Sequence, residues 1–364
     1  MRSERSDSNQ NYKEDTICEN GGWNVNRRNF MTYPIETSLF DYSDTFLPVQ
    51  ALNQQVVDSA LSIEDLRESM DIDVETNDLS NAILFEEEHD RIQNVAEIRE
   101  VDGKYQITFS LTFGQFMWSV GLYLSTYFDN IVQIPMMNAV GTNVNGYKPN
   151  MDVVRFADDT FFRARQLIFR VVPESFTQIP NICDPQVFKN EIGNANGIYV
   201  GGMCFIMAHE FAHNFLGHTH YAANQEVTLE DEMNADETAL SFISSEFDTG
   251  NGFTYKVGIA NVLCSLLLMG QDTICSDGAH PHMDVRIDNI MNKLELPYED
   301  ILWGYVGCAI RMWLMVYGGY TIEEDMKVGP FDTFGDFYDY YLKLLKEYRE
   351  KNFPEVVKPD WFIE

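Results

Sequence analysis

Basic residues are scarce in this chain: 25 Lys and Arg stand against 57 Asp and Glu, so the formal net charge is −32. A protein of that charge repels phosphates, and we therefore expect no nucleic-acid partner. The six cysteines include no Cys-x-x-Cys pair, which excludes the usual cysteine zinc motif. Cys204, Cys264 and Cys308 lie in apolar stretches and are expected to be small buried residues. Scattered cysteines in a long chain indicate a reducing compartment.

Long apolar runs are also rare. The first residues, MRSERSDSNQNYKED, lack the apolar run of a secretory signal, and we expect a cytoplasmic protein. One stretch, 301–320, has the length needed to cross a bilayer, but Arg311 lies at its centre, where a charge in lipid is costly. We therefore predict a core helix there and no membrane partner; a membrane-inserted stretch is the alternative.

The remaining composition is that of a globular protein, with 45% hydrophobic and 13% aromatic residues. In KYQITFSLTF, 104–113, apolar and polar residues alternate, which predicts a half-buried strand. This strand could lie at a sheet edge near a site, where extended peptides pair. The stretch 64–102 is rich in acids and predicts a solvated face over the core; a partner surface is the alternative. Helices are predicted at about 51–70, 80–100, 115–132, 152–170, 257–270, 283–294, 301–320 and 334–351.

The stretch 198–217, IYVGGMCFIMAHEFAHNFLG, is apolar nearly all round and predicts a buried helix. Asn194 or Asn196 is a possible N-cap, and Gly217 can end the helix.

His209, Glu210 and His213 are the polar exceptions in this helix. Two histidines four residues apart point from one face, so both imidazoles can reach one zinc ion while Glu210 acts as general base on the metal-bound water. A chance occurrence of this short string is the alternative. Buried polar groups without partners cost free energy, which favours a metal site.

A third ligand is predicted in TLEDEMNADETALSF. Thr228 with Asp231 at the capping-box position predicts that a helix begins there. One face of this helix carries two acids and two alanines: Glu232, Ala235, Asp236 and Ala239. The alanines allow it to lie close to the histidine helix, so that Glu232 can bind the metal and Asp236 can accept the free ring N–H of a ligand histidine. The alternative is that 226–237 is simply a solvated acidic face.

A metzincin site is excluded by the residues that follow His213. That class requires Gly and His at the positions where this chain has Leu216 and Thr219. His218 and His220 are off register for such a site, and we expect them to be exposed histidines of a turn.

A third motif lies in GAHPHMDVRIDNI, 278–290, where His280-Pro281 precedes Arg286-Ile287. With the first two motifs it resembles the gluzincin metallopeptidases, most closely the HtpX and CAAX-prenyl-protease type. That type carries His-Glu-x-x-His, Glu-x-x-Ala-Asp-x-x-Ala and His-Pro-x-x-x-x-Arg-Ile, which here read HEFAH, EMNADETA and HPHMDVRI. Those enzymes are usually membrane-embedded, whereas this chain shows no clear span. Soluble phage-exclusion proteases of the Lit type are a weaker analogy.

The resemblance implies a role for each matching residue. His209, His213 and Glu232 would bind Zn²⁺, and Glu210 would be the general base. His280 would stabilise the oxyanion; a surface or capping histidine is the alternative. The resemblance also implies that Asp236 supports a ligand histidine and is held by Arg286, although these two could form a purely structural ion pair.

We therefore predict a mainly α (α+β) protein with a zincin-like helical core and a small β element before the site helix. The predicted division is a flexible N-terminus (1–30), an acidic region (31–102) and a metallopeptidase domain (103–364). The predicted function is zinc-dependent hydrolysis of a protein or peptide. A non-catalytic, zinc-stabilised binding module and a membrane-associated protease are the alternatives, and the oligomeric state is left open.

Overall fold

A computed structural model describes the chain in eight stretches: 31–38, 47–88, 91–139, 141–170, 181–220, 227–276, 280–325 and 331–353. The predicted flexible segment 1–30 lies outside them. The fold is mainly helical with one small sheet, as the sequence predicts.

The sheet has four strands: β1 (Ile35–Ser38), β2 (Ile83–Glu86), β3 (Ala96–Val101) and β4 (Lys104–Ser110). Their order is β1-β2-β4-β3; β1, β2 and β4 are parallel, and β3 is antiparallel to β4. Asp102 and Gly103 join β3 to β4 with φ of 53° and 79°, the left-handed pair that a tight hairpin needs.

One sequence prediction in this region is wrong, and another is confirmed except at its end. The helix predicted at 80–100 is replaced by β2 and β3, because pairing with distant strands outweighs the helical preference of the local acids. The strand predicted at 104–113 ends at Ser110, because the Ser110 hydroxyl accepts the Phe113 N–H and caps the next helix. This strand is also central, and the edge belongs to β3.

The described α-helices are α1 (Asn53–Ser62), α2 (Glu64–Glu75), α3 (Leu111–Tyr127), α4 (Ile134–Ala139), α5 (Met151–Ala164), α6 (Gln166–Phe169), α7 (Lys189–Phe215), α8 (Leu229–Ser244), α9 (Gly252–Leu268), α10 (Met283–Lys293), α11 (Ile301–Val316), α12 (Ile322–Asp325) and α13 (Phe334–Asn352). A π-helical segment at 128–133 follows α3, and 3₁₀ segments lie at 48–52, 218–220 and 272–274. The predicted helix at 51–70 is therefore two helices, α1 and α2.

Helix α7 lies at the centre and packs against α1, α3, α8 and α9. It begins at Lys189, so the predicted start after Asn194–Gly197 is wrong. Asn196 is buried and bridges two segments: Trp118 Nε1 donates to its Oδ1 at 2.8 Å, and its Nδ2 donates to the Ile182 carbonyl at 2.7 Å. Gly217 follows the helix with φ of 78°, consistent with its predicted role in ending it.

Glycines bring α7 and α9 into close contact. A Cβ built on Gly258 would lie 2.5 Å from the carbonyl carbon of Gly201, a distance that cannot be accommodated without a shift. The close approach is possible because neither residue carries a side chain. This contact fixes the position of α7 along the axis of α9.

Helix α11 is the predicted core helix of 301–320, and most of its residues are buried. Arg311 Nε donates to Asp325 Oδ1 at 2.9 Å and Arg311 Nη1 to the Tyr127 hydroxyl at 2.6 Å, so its charge is paired inside the protein. Across the described residues, none of the helices combines the length and the apolar character that a membrane span requires.

The predicted buried thiols Cys204, Cys264 and Cys308 are buried. The division between 31–102 and 103–364 stays a prediction; the β3–β4 hairpin joins the two parts across it.

Candidate metal centre

Three buried side chains converge where the C-terminal end of α7 meets the start of α8. His209 Nε2 lies 3.3 Å from His213 Nε2 and 3.4 Å from Glu232 Oε2, and His213 Nε2 lies 3.5 Å from Glu232 Oε1. One ligand atom from each residue lies within 4.8 Å of the other two, so the group could hold a metal ion. The three residues that the sequence predicts as ligands are thus brought together.

The local sequence explains how α8 reaches this position. Thr228 and Asp231 form the predicted capping box: the Thr228 side chain accepts the Asp231 N–H, and the Asp231 carboxylate accepts the Thr228 N–H. Ala235 and Ala239 are fully buried on the same helix. Their small side chains allow α8 to lie against α7, which turns Glu232 and Asp236 towards the histidines.

Asp236 and Arg286 support His209. The Asp236 Oδ1 atom lies 2.9 Å from His209 Nδ1. Arg286 donates to both oxygens of the same carboxylate, from Nε at 2.8 Å and from Nη2 at 2.7 Å. The fork is planar and bidentate, which fixes the orientation of the carboxylate and, through it, of the imidazole.

His213 is supported by a residue that the sequence analysis missed. His218, predicted to be exposed, is buried, and its Nδ1 lies 3.0 Å from His213 Nδ1. On its far side, His218 Nε2 lies 3.3 Å from Asp231 Oδ1. The prediction failed because the left-handed turn at Gly217 directs the chain back over α7, which spacing alone does not reveal. His220 is about half exposed, as predicted.

Burial and the nearby charged groups shift the pKa values of the three candidate ligands. Burial opposes a proton on His209, but Asp236 and Glu232 outweigh it and raise the pKa of His209 to about 10. Burial, together with the charge of His209, lowers the pKa of His213 to about 4. Burial would raise the pKa of Glu232, but the interaction with His209 outweighs it, so the pKa lies below its usual value. The cluster therefore stabilises one positive charge between its ligands.

A second observation, the environment of the Glu232 carboxylate, also favours a metal ion at this site. Glu232 Oε2 is buried and faces His209 Nε2 at 3.4 Å, but it accepts no well-formed hydrogen bond from the described residues. A buried carboxylate oxygen without a well-formed hydrogen bond is unfavourable, and a cation among the three ligands would satisfy it.

Glu210 lies on α7 beside the ligands and is partly buried. Burial raises the pKa of its carboxyl group to about 7, although the neighbouring His209 charge acts in the opposite direction. A carboxyl group with such a pKa is suited to exchange protons near neutral pH.

His280 lies at the rim of the cluster. Its Nε2 is 3.7 Å from Glu232 Oε1, and about half of its side chain is exposed. The His-Pro motif thus brings a solvent-accessible imidazole to the opening of the site, and Arg286, six residues later, reaches the buried side from α10.

A family model described as Peptidase U49 matches residues 107–306, which are 200 of the 364 residues. The chain belongs to the peptidase U49 family. The peptidase U49 match begins within β4 and ends in α11. It therefore contains the three candidate ligands and the residues that hold them: His218, Asp231, Asp236 and Arg286. Membership indicates a hydrolase that acts on protein or peptide substrates. Neither the curated proteins nor the solved structures yielded a match.

Proposed function

We propose that this peptidase is a zinc-dependent endopeptidase of the gluzincin type, in which His209, His213 and Glu232 bind the metal. The observation that carries the proposal is the convergence of these three buried ligands in a chain of a peptidase family. Two imidazoles and one carboxylate are a donor set of catalytic zinc sites, which keep a further position open.

Zinc, when bound, would activate the attacking water and polarise the scissile carbonyl. Glu210 would take the proton from that water and later deliver it to the leaving amine. The position of Glu210 on α7, next to the ligand His209, supports both transfers, because a carboxylate beside the metal-bound water can accept a proton and pass it on.

His280 would donate a hydrogen bond to the oxyanion that develops on the scissile carbonyl. Its half-exposed ring beside Glu232 supports this role, since a group at the opening can reach a bound substrate. A donor of this kind is typically worth about 3 kcal/mol in the transition state.

Strand β3 would bind the substrate backbone. It is the edge strand of the described sheet on the side of β4, and it packs against α7. Glu97, on β3, is close enough to Glu210 for its charge to affect the Glu210 carboxyl group. An extended peptide that adds to this edge would therefore pass near Glu210 and the metal ligands.

The first experiment is elemental analysis of the wild type and of Glu232→Ala, both purified without chelators and without a His tag. We expect about one zinc per wild-type chain and much less in the folded variant, because the variant loses one of three protein ligands. A wild type that binds no zinc after reconstitution would contradict the metal site.

The second experiment compares Glu210→Gln with the wild type on a mixture of unfolded proteins, with mass-spectrometric detection of new termini. Gln cannot accept the proton, so we expect zinc to be retained and cleavage to be lost. If cleavage persists in the zinc-loaded variant, Glu210 is not the base. If zinc is bound but neither protein cleaves, the alternative of a zinc-stabilised binding module is favoured.

A further inference from the structure

We infer that His218 and Asp231 are positioning residues for the metal: they form a relay that holds the His213 imidazole in the one tautomer able to bind a cation through Nε2. The inference rests on the proposed metal site. It assigns a function to two residues outside the three sequence motifs.

The geometry is a chain of three side chains. Asp231 Oδ1 lies 3.3 Å from His218 Nε2, and His218 Nδ1 lies 3.0 Å from His213 Nδ1. The outer nitrogen of His213, Nε2, faces His209 and Glu232. His218 is buried and Asp231 is partly buried: the exposed fraction of the side chain is 7% for His218 and 13% for Asp231.

The partners determine the tautomers. A neutral imidazole has one N–H donor and one acceptor nitrogen. His218 Nε2 faces the Asp231 carboxylate, which only accepts, so the relay places the hydrogen on Nε2 and leaves Nδ1 as the acceptor. His213 Nδ1 then donates to His218, and its Nε2 presents a lone pair to the cluster. The opposite arrangement would place a bare nitrogen against the Asp231 carboxylate and would put the His213 hydrogen on the ligand atom.

The surrounding structure holds the relay in place. The turn that carries His218 is fixed by the Tyr105 hydroxyl, which donates to the Thr219 carbonyl at 2.7 Å, and by Thr219 Oγ1, which donates to Asn214 Oδ1 at 3.0 Å. Asp231 is fixed by the capping box, in which its Oδ2 accepts from Thr228, while its Oδ1 faces His218.

The two ligand histidines therefore depend on one helix. The Nδ1 atom of His209 approaches Asp236 directly, and that of His213 reaches Asp231 through His218. Helix α8 thus supplies one ligand, Glu232, and the terminal carboxylate of both relays. Partners of this kind typically contribute about 10- to 100-fold to metal affinity.

The test measures zinc affinity by competition with a chromogenic chelator in wild type, His218→Phe and His218→Asn. Phe keeps a flat ring but has no acceptor, which leaves the buried His213 Nδ1–H without a partner; we expect about 10- to 100-fold weaker binding. Asn is smaller, but its side-chain oxygen can accept from His213 Nδ1, so we expect binding within a few-fold of wild type. A space-filling role for His218 predicts the reverse order, because Phe fills the volume better than Asn.

The matched control is His220→Phe, which changes a histidine of the same turn. Among the described residues, His220 lies against Asp78 and the Tyr105 ring and does not contact the three ligands, so zinc affinity should not change. Cobalt-loaded proteins give a second signal: the d–d absorption bands should shift in His218→Phe and match wild type in the Asn and control variants.

Nitrogen-15 spectra of the histidine rings in the metal-loaded wild type decide the question even if His218→Phe does not fold. We expect the hydrogen of His218 on Nε2 and that of His213 on Nδ1. The opposite tautomer of His218, or equal affinity of Phe and wild type, would overturn the relay and leave the metal site standing. A wild type that binds neither zinc nor cobalt would overturn the metal site and the relay together.

Discussion

Arg286 donates two parallel hydrogen bonds to the Asp236 carboxylate, from Nε to Oδ2 at 2.8 Å and from Nη2 to Oδ1 at 2.7 Å. Asp236 is buried and Arg286 is largely buried, with 6% and 11% of their side chains exposed. The pair joins α10 to α8 behind His209, and it keeps the pKa of the Asp236 carboxyl group well below its usual range although burial acts in the opposite direction. The last motif of the sequence is thus connected to the first.

Arg286→Leu should destabilise the fold by about 3–5 kcal/mol, because it leaves a buried carboxylate without its partner. Urea unfolding in the presence of a chelator measures this cost without a contribution from metal binding. Arg155→Leu is the control: its pair with Asp152 is mostly exposed, and the expected change is below about 1 kcal/mol. Similar effects of the two substitutions would contradict the structural role of Arg286.

Asn196→Ala should cost about 2–4 kcal/mol, since it removes the partner of both the Trp118 indole N–H and the Ile182 carbonyl and leaves two buried groups unsatisfied. Asn194→Ala makes the same chemical change on an exposed position of α7 and should be neutral or slightly stabilising. Thermal unfolding of both variants provides the comparison. A neutral Asn196→Ala would mean that Asn196 does not bridge these segments.

Gly258→Ala should destabilise the protein by about 1–3 kcal/mol, because its Cβ would overlap with the backbone of Gly201 where α7 and α9 meet. Since α7 carries both histidines, zinc affinity should fall as well. Gly193→Ala lies on α7 with open space around the added atom and should stabilise by up to about 1 kcal/mol. Equal effects at the two glycines would rule out a close helix contact at Gly258.

Glu87→Gln should change how stability depends on pH. Glu87 is buried, and burial raises the pKa of its carboxyl group above the usual value. This group stabilises the fold below the pKa of the unfolded chain, and that contribution is lost as pH rises through the higher folded pKa. The variant should therefore gain stability relative to wild type as pH rises from the unfolded-chain pKa through the higher folded pKa, which denaturant titrations across this range would measure. Glu100→Gln, at an exposed site on β3, is the control for a change of net charge.

Removal of zinc by a chelator should lower the unfolding temperature of the wild type. Free zinc at 100 times its dissociation constant stabilises the folded state by about 2.7 kcal/mol. Glu232→Ala, which has lost a ligand, should unfold at the same temperature with and without the chelator. A chelator effect of equal size in both proteins would indicate that the metal binds elsewhere.

Local patterns in the sequence predicted a large part of the site. The Thr228–Asp231 capping box needs only four consecutive residues, and it forms as predicted. The face that brings Glu232 and Asp236 together follows from helical spacing. The mainly helical class with a small sheet also follows from periodicity, and the structure confirms it.

Such local patterns could not predict features that depend on contacts between distant parts of the chain. The burial of His218 requires the turn after Gly217 and the Tyr105 hydroxyl of β4, more than 100 residues earlier in the chain. Strand β2 is assigned by its pairing with β1 and β4, not by its own composition. The early start of α7 reflects burial of Asn196 against α3, whereas an asparagine in isolation favours a helix cap.

The directions of α7 and α8 allow the backbone itself to favour a bound cation. The histidines lie in the last turns of α7, where unpaired carbonyl groups give the helix end about half a negative charge. Glu232 and Asp231 lie in the first turn of α8, where unpaired N–H groups give about half a positive charge. A cation between them would thus face the negative pole of one helix while its carboxylates rest on the positive pole of the other. The peptide dipoles would favour the ion-bound arrangement before any side chain is considered, and reversing the direction of either helix would remove that preference.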